Sequence, residues 1–200
     1  MGFASVPNVR AIITTSREPS RRTRSLTKEL ALLSRRVILL NRGKRTLPEL
    51  FEAAMASGAS ILCVVNEKRA NPSLLRIYNV GADLLSGAFH RYSLFLVGVK
   101  LSREGGSLKS VGALEKAELV IEAPINDERS RLTALALGEV YDARPQTGRR
   151  EQGVLYIHVR DIEKCTEVYF TTFLDREVRI GPVLRVGEAR LVEREVHARI

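Results

Sequence analysis

Strand-like and helix-like segments alternate along this chain, and the alternation restarts near residue 117, which predicts an α/β (α+β) layered fold made of two similar halves. Composition supports that class. Of the 200 residues 44% are hydrophobic and 28% charged, enough apolar material for one sizeable core. We therefore expect a single domain over residues 1–200, with halves at about 8–101 and 117–200 joined by a glycine-containing loop at 102–116.

Taken in order, Val9–Thr14 is a β-branched run that feeds a polar segment ending at Ser20. From Ser20 to Ser34, Leu26, Leu30 and Leu33 recur with Thr23 at helical spacing and predict a helix with one apolar stripe. Val37–Leu40 reads as a buried strand. Thr46-Leu47-Pro48-Glu49 has the capping-box pattern, Leu50, Phe51, Ala54 and Met55 give the helix a face, and Gly58 supplies its stop. Ile61–Val65 is the next strand, followed by a polar turn at Asn66–Ser73, a strand at Leu74–Tyr78 and extended chain over Ala88–Leu101. Glu104–Ser110, with Gly105-Gly106, reads as a linker or loop.

The second half repeats the order. Leu119–Ala123 is a strand, Asp127–Val140 a helix with Leu132, Leu135, Ala136 and Val140 on one face, and Val154–Val159 a strand. Val168–Phe173, Val178–Ile180, Val183–Val186 and Leu191–Val196 read as further extended segments. Asp161–Glu167 fits either a short helix or a loop.

Net charge is +9, and its placement is informative. Between Arg10 and Arg45 stand eleven basic residues against two acidic ones, Glu18 and Glu29, so this window carries the whole excess and the remainder is formally neutral. A neutral protein with one concentrated basic segment points to a polyanionic partner. On a helical wheel Arg21, Arg24, Lys28 and Arg35 fall within about 60° of one another, opposite the leucine stripe. Arg21, Arg22 and Arg24 also occupy the first turns, where the positive end of the macrodipole disfavours cations by roughly 0.3–1 kcal/mol each. The helix beginning at Asp127 obeys the opposite rule, with Asp127 and Glu128 at its start. A phosphate bound near Thr15, Ser16, Arg17 and Ser20 would reverse the unfavourable sign. Arg42, Lys44 and Arg45 after the second strand, and Lys68 and Arg69 in a later turn, complete the candidate set for contact with an RNA or DNA backbone, each read against the alternative of a solvated loop. The strand-borne aromatics, among them Tyr78, Tyr92, Tyr156, Tyr169 and Phe170, are assigned to packing rather than to base stacking.

Several function classes are disfavoured. The chain has no Gly-x-x-x-x-Gly-Lys-Ser/Thr, Gly-x-Gly-x-x-Gly or His-Glu-x-x-His motif, and His90, His158 and His197 lie far apart without neighbouring ligands. No catalytic residue, metal site or cofactor is assigned. His158 and Asp161 form a base-and-orienter pair only if they face the same solvent, and no nucleophile accompanies them. Cys63 and Cys165 sit in apolar runs and read as buried, reduced thiols. No stretch reaches the ~18 apolar residues of a membrane span, and Met1–Val9 lacks an export-signal pattern, so a cytoplasmic location without membrane association is expected.

The ordered segments Ile12-Ile13-Thr14-Thr15-Ser16-Arg17-Glu18-Pro19-Ser20, Asn41-Arg42-Gly43, Val64-Val65-Asn66-Glu67 and Gly181-Pro182 are similar to signposts of the Brix-domain family, and together they span nearly the whole chain. The Thr-Ser-Arg-x-Pro-Ser entry to a basic helix is the most specific of them. The resemblance, closest to single-domain archaeal members, implies two halves each like the anticodon-binding domain of some aminoacyl-tRNA synthetases. It also implies a non-catalytic role in ribosome biogenesis through ribosomal or pre-ribosomal RNA and another assembly protein. Val183 stands where the family often has Arg, and Gly87-Ala88 where it has Gly-Pro-Thr, so the RNA assignment rests on the first half. An RNA-processing or RNA-modifying enzyme and a protein-interaction module are the competing expectations.

Overall fold

The computed structural model describes residues 8–81, 88–108, 112, 114–122 and 127–196. The expected Gly87 and His197 features, the end of the Leu119–Ala123 strand and part of the 102–116 loop lie outside them. The first half runs β1 (Ala11–Thr15), α1 (Arg21–Ala31), β2 (Val37–Leu39), α2 (Leu47–Ala56), β3 (Ile61–Lys68), β4 (Asn71–Val80) and β5 (Ala88–Lys100). After a short α3 (Ser102–Gly105) come β6 (Lys116–Ile121), α4 (Glu128–Tyr141), β7 (Arg144–Pro145), β8 (Val154–Ile162), β9 (Cys165–Phe173) and β10 (Glu177–Val196).

Among the described residues all ten strands form one sheet, ordered β2-β1-β3-β4-β5-β10-β9-β8-β6-β7. From one edge a parallel trio, β2-β1-β3, leads to antiparallel β4 and β5; from the other, the parallel trio β7-β6-β8 leads to antiparallel β9 and β10. The fold is mixed α/β, laid out in the same order on both sides of the central β5–β10 pair.

Alternation along the strands explains the layers. Ala11, Ile13, Ile61, Cys63 and Val65 point into a large core that also holds Leu26 and Leu30 of α1 and Leu132, Ala136 and Val140 of α4. Both helices therefore cover one face, where the buried Tyr141 hydroxyl donates to the Leu30 carbonyl (2.9 Å). Ile12, Leu62 and Val64 point the other way, against Leu50, Phe51 and Ala54 of α2. The Thr46 capping box that starts α2 is formed as expected: the Thr46 N–H donates to Glu49 Oε2 (2.6 Å) and the Glu49 N–H to Thr46 Oγ1.

Several expectations require correction. The first helix ends at Ala31 rather than Ser34, because Ser34 bridges to Leu114 and the Arg35 N–H donates to the Leu114 carbonyl (2.9 Å). β2 is an edge strand whose Ile38 and Leu39 are exposed, not a buried one. The polar turn at Asn66–Ser73 shrinks to Arg69-Ala70, since the hairpin ladder of β3 and β4 continues to Lys68 and Asn71. Asp161–Glu167 is neither helix nor open loop but the tip of the β8–β9 hairpin. The last three of the four late extended segments, Val178–Ile180, Val183–Val186 and Leu191–Val196, are one strand, β10, interrupted by bulges. Leu135 is half exposed and takes no part in the buried face of α4, whereas Leu137 and Tyr141 do. The stretch expected as a linker at Glu104–Ser110 holds the end of α3, and Leu108 bridges to Ile180.

Candidate nucleic-acid interface

The parallel strands β1, β2 and β3 end at the same side of the sheet, and the entry to α1, the β2–α2 loop and the β3–β4 hairpin tip all emerge there. In open α/β sheets this carboxyl end is where ligands are bound. Here it gathers most of the predicted cations.

One groove of about 670 Å³ lies between α1 and the β2–α2 loop. Thr15, Arg24, Lys28, Arg42 and Lys44 line it, as do Pro19, Leu39, Leu40 and Asn41, with Glu18 the one carboxylate in its lining. Arg24 and Lys28 are one turn apart on the exposed edge of α1. The Arg42 guanidinium is fixed by donating to the carbonyls of Arg45 (3.1 Å) and Thr15 (3.3 Å), and Arg45 donates to the Asn41 carbonyl (2.8 Å). Burial, and then the neighbouring charge of Arg17, push Arg42 below its ordinary pKa.

A second groove, of about 590 Å³, lies across the N-terminal end of α1 and is lined by Arg22, Lys68, Arg69, Asn71 and the exposed Val97. Its charge is partly cancelled. Arg22 is paired with Glu104 (2.5 Å) and donates to the Val99 carbonyl (2.8 Å). Arg69 and Ala70 both adopt left-handed backbone at the hairpin tip, φ 51° and 59°, a conformation disfavoured for residues with a Cβ.

The predicted anion site at the start of α1 is organised differently from expectation. Ser20 caps the helix, accepting the Thr23 N–H (3.2 Å), while its own N–H donates to Glu67 Oε2 (2.9 Å). The Thr23 hydroxyl donates to the same oxygen (2.6 Å). A carboxylate from β3 thus occupies the positive end of the helix and supplies the anion missing from its first turn. Burial alone would raise the Glu67 carboxyl, but the bonds from Thr23 and Ser20 and the charge of Arg24 hold it below the usual range. Ser16 is not drawn into this site; its buried Oγ, and the buried Oδ1 of Asn66, have no hydrogen-bond partner among the described residues. Glu67 was visible in the sequence only as part of the Val-Val-Asn-Glu signpost, with no local feature to show its role.

The remaining candidates separate. Arg21 is exposed on α1 and Arg17 lies beside Arg42. Arg35 leaves the helical face altogether, since α1 has ended, and pairs with Glu115 (3.1 Å). The matching end of the second half is self-compensated, with Arg129 held between Asp127 (3.0 Å) and Asp161 (2.9 Å). That arrangement removes Asp161 as an orienter for His158. The histidine is 1% exposed and contacts Glu122 (2.9 Å) and Thr171 (2.8 Å) instead. Tyr78, Tyr92, Tyr156 and Phe170 are buried, whereas Tyr169 is half buried between His158 and Arg179. Among the described residues no group of three or more His, Cys, Asp or Glu could hold a metal ion, and no helix is long and apolar enough to cross a membrane.

No protein-family model matches the chain. Comparison with individual proteins is more informative. A probable Brix domain-containing ribosomal biogenesis protein of Aeropyrum pernix is 29% identical over 183 residues, 91% of this chain and 98% of that protein. The U3 small nucleolar ribonucleoprotein protein IMP4 of Saccharomyces cerevisiae is 39% identical over 74 residues, which cover 37% of this chain but only 26% of IMP4. Among solved structures, a crystal structure of a probable ribosomal biogenesis protein from Aeropyrum pernix K1 superposes with a TM-score of 0.73 at 27% identity, covering 94% of this chain and 99% of that one. With that fold shared from end to end and the Thr-Ser-Arg-x-Pro-Ser segment at the mouth of its cationic groove, the chain is similar over nearly its whole length to a probable Brix domain-containing ribosomal biogenesis protein.

Proposed function

We propose that the protein is a non-catalytic ribosome biogenesis factor that holds ribosomal or pre-ribosomal RNA against the cationic end of its first half. One observation carries this reading: Arg24 and Lys28 on one wall and Arg42 and Lys44 on the other line a single groove that contains one carboxylate. Such a rim suits a phosphate backbone, which arginine forks and lysine charges neutralise from both sides. Arg17, Arg21, Lys68 and Arg69 extend the positive surface around the same end of the sheet. The unpartnered Ser16 and Asn66 oxygens beside them favour a polar ligand. The names of the relatives agree with a ribonucleoprotein setting. We further take residues 8–101 and 117–200 to be two repeats of one unit, and place the RNA on the first. A second assembly protein is a compatible partner.

Ultraviolet crosslinking in the source cells, followed by sequencing of the RNA and mass spectrometry of the attached peptides, tests the proposal. Ribosomal RNA should be recovered, with crosslinked peptides concentrated in residues 15–45 and 66–69. Crosslinks confined to the second half, or recovery of no RNA above background, would overturn it. Incubation of the pure protein with labelled ribosomal RNA should leave the RNA uncut and unmodified; turnover would establish the enzyme reading instead.

A further inference from the structure

The cationic groove has a floor that phosphate recognition does not require. Leu39 is 40% exposed on edge strand β2, and Leu40 and Pro19 line the groove beside it. Exposed leucine next to fixed cations presents apolar surface to water in the place where a polyanion would bind. A duplex offers such a surface only its phosphates and sugars, because its base faces are stacked inside. An unpaired nucleotide offers both a charged phosphate and an apolar base face. A groove of about 670 Å³ is in the size range of small-ligand sites, large enough for one such unit. The walls are suitably fixed. Arg24 and Lys28 stand on a capped helix, and two backbone carbonyls hold Arg42, leaving further N–H donors of its guanidinium for an anion.

Resting on the RNA reading above, we infer that this groove seats an unpaired nucleotide, with its base against Leu39, Leu40 and Pro19 and its phosphates between the α1 cations and Arg42 and Lys44. The groove therefore selects single-stranded over duplex RNA. It does so without aromatic stacking and without reading base identity, since aliphatic side chains meet the face of any base.

Fluorescence anisotropy on the full chain tests this with three probes: a short oligouridylate, the same strand carrying abasic sites, and an RNA duplex of equal length. Wild type should bind the oligouridylate most tightly. Leu39→Ser should weaken that complex by about fivefold, the equivalent of roughly one buried methylene or slightly more, without altering its salt dependence. The same substitution should leave the abasic complex unchanged, because the two changes remove the same contact. Leu39→Thr, which keeps strand propensity, serves if the serine variant does not fold. Equal affinity for intact and abasic strands, full additivity of the two changes, or duplex binding as tight as single-strand binding would each overturn the inference. If Arg24→Ala/Lys28→Ala still weakens every probe in those cases, the RNA reading stands and only the seated nucleotide is lost. If no probe binds in a salt-sensitive manner, the RNA reading fails as well.

Discussion

Glu67 Oε2 lies 2.9 Å from the Ser20 backbone nitrogen, so the end of strand β3 supplies the carboxylate that caps α1, the most basic helix among the described residues. A helix whose first turn holds Arg21, Arg22 and Arg24 and no acid would otherwise oppose its own dipole.

Replacing Glu67 with Gln keeps the shape and removes the charge. We expect a loss of about 1–2 kcal/mol, because charge-assisted bonds to an N-terminal N–H and to the Thr23 hydroxyl are weakened together. Urea denaturation monitored by circular dichroism measures it. An unchanged midpoint would show that the helix start is indifferent to this carboxylate.

Gly181 and Leu33 form a second link between distant parts of the chain. Gly181 has φ +63°, and a Cβ there would stand 2.8 Å from Leu33 Cδ2, just past the end of α1. Its N–H donates to the Leu108 carbonyl (2.8 Å). Gly181→Ala therefore combines a left-handed backbone cost with overpacking of a fully buried leucine, together about 2–4 kcal/mol. Gly148→Ala, with open space around it, is the control and should be nearly neutral. Equal effects at both glycines would contradict the packing explanation.

Acidification should destabilise the fold well above the carboxylate range. Burial, the first cause in each case, lowers the pKa of His90 and His158 below the ordinary 6.5; Arg76 adds to it at His90, while Glu122 and Glu177 oppose it at His158. The unfolded chain then binds more protons than the folded one, so stability is fully present above about pH 6.5 and falls as pH drops through and below that value. Melting temperatures measured between pH 7.5 and 5.5 should decline for wild type, and the decline should flatten in His90→Gln/His158→Gln. A profile that rises on acidification would mean that the carboxylates around His158 outweigh its burial.

Local patterns made much of this fold legible. The spacing of Leu26, Leu30 and Leu33 located α1, and Thr46 to Glu49 located the start of α2, because periodicity and capping are short-range properties. The failures are long-range. Arg35 continues the helical period perfectly well, but Ser34 and Arg35 are claimed by Leu114, about eighty residues away in sequence, and α1 stops before them. The cations likewise looked like one face. In the fold Arg35 lies past the helix end and pairs with Glu115, while Arg24 and Lys28 line one groove together with Arg42. The apolar floor at Leu39 was hidden because a short β-branched and leucine-rich run reads as buried until the sheet order places it at an edge.

The salt dependence of RNA affinity tests the cationic groove most directly. Each neutralised phosphate contributes about −0.7 to the slope of log K against log salt for a single strand, so Arg24→Ala/Lys28→Ala/Arg42→Ala should flatten the wild-type slope by about two. Arg160, Arg185 and Arg190 are paired with Glu167 and Glu188, and their joint replacement by Ala should leave the slope nearly unchanged. A groove variant that keeps the wild-type slope, or a control variant that loses as much, would contradict the placement of RNA between α1 and the β2–α2 loop.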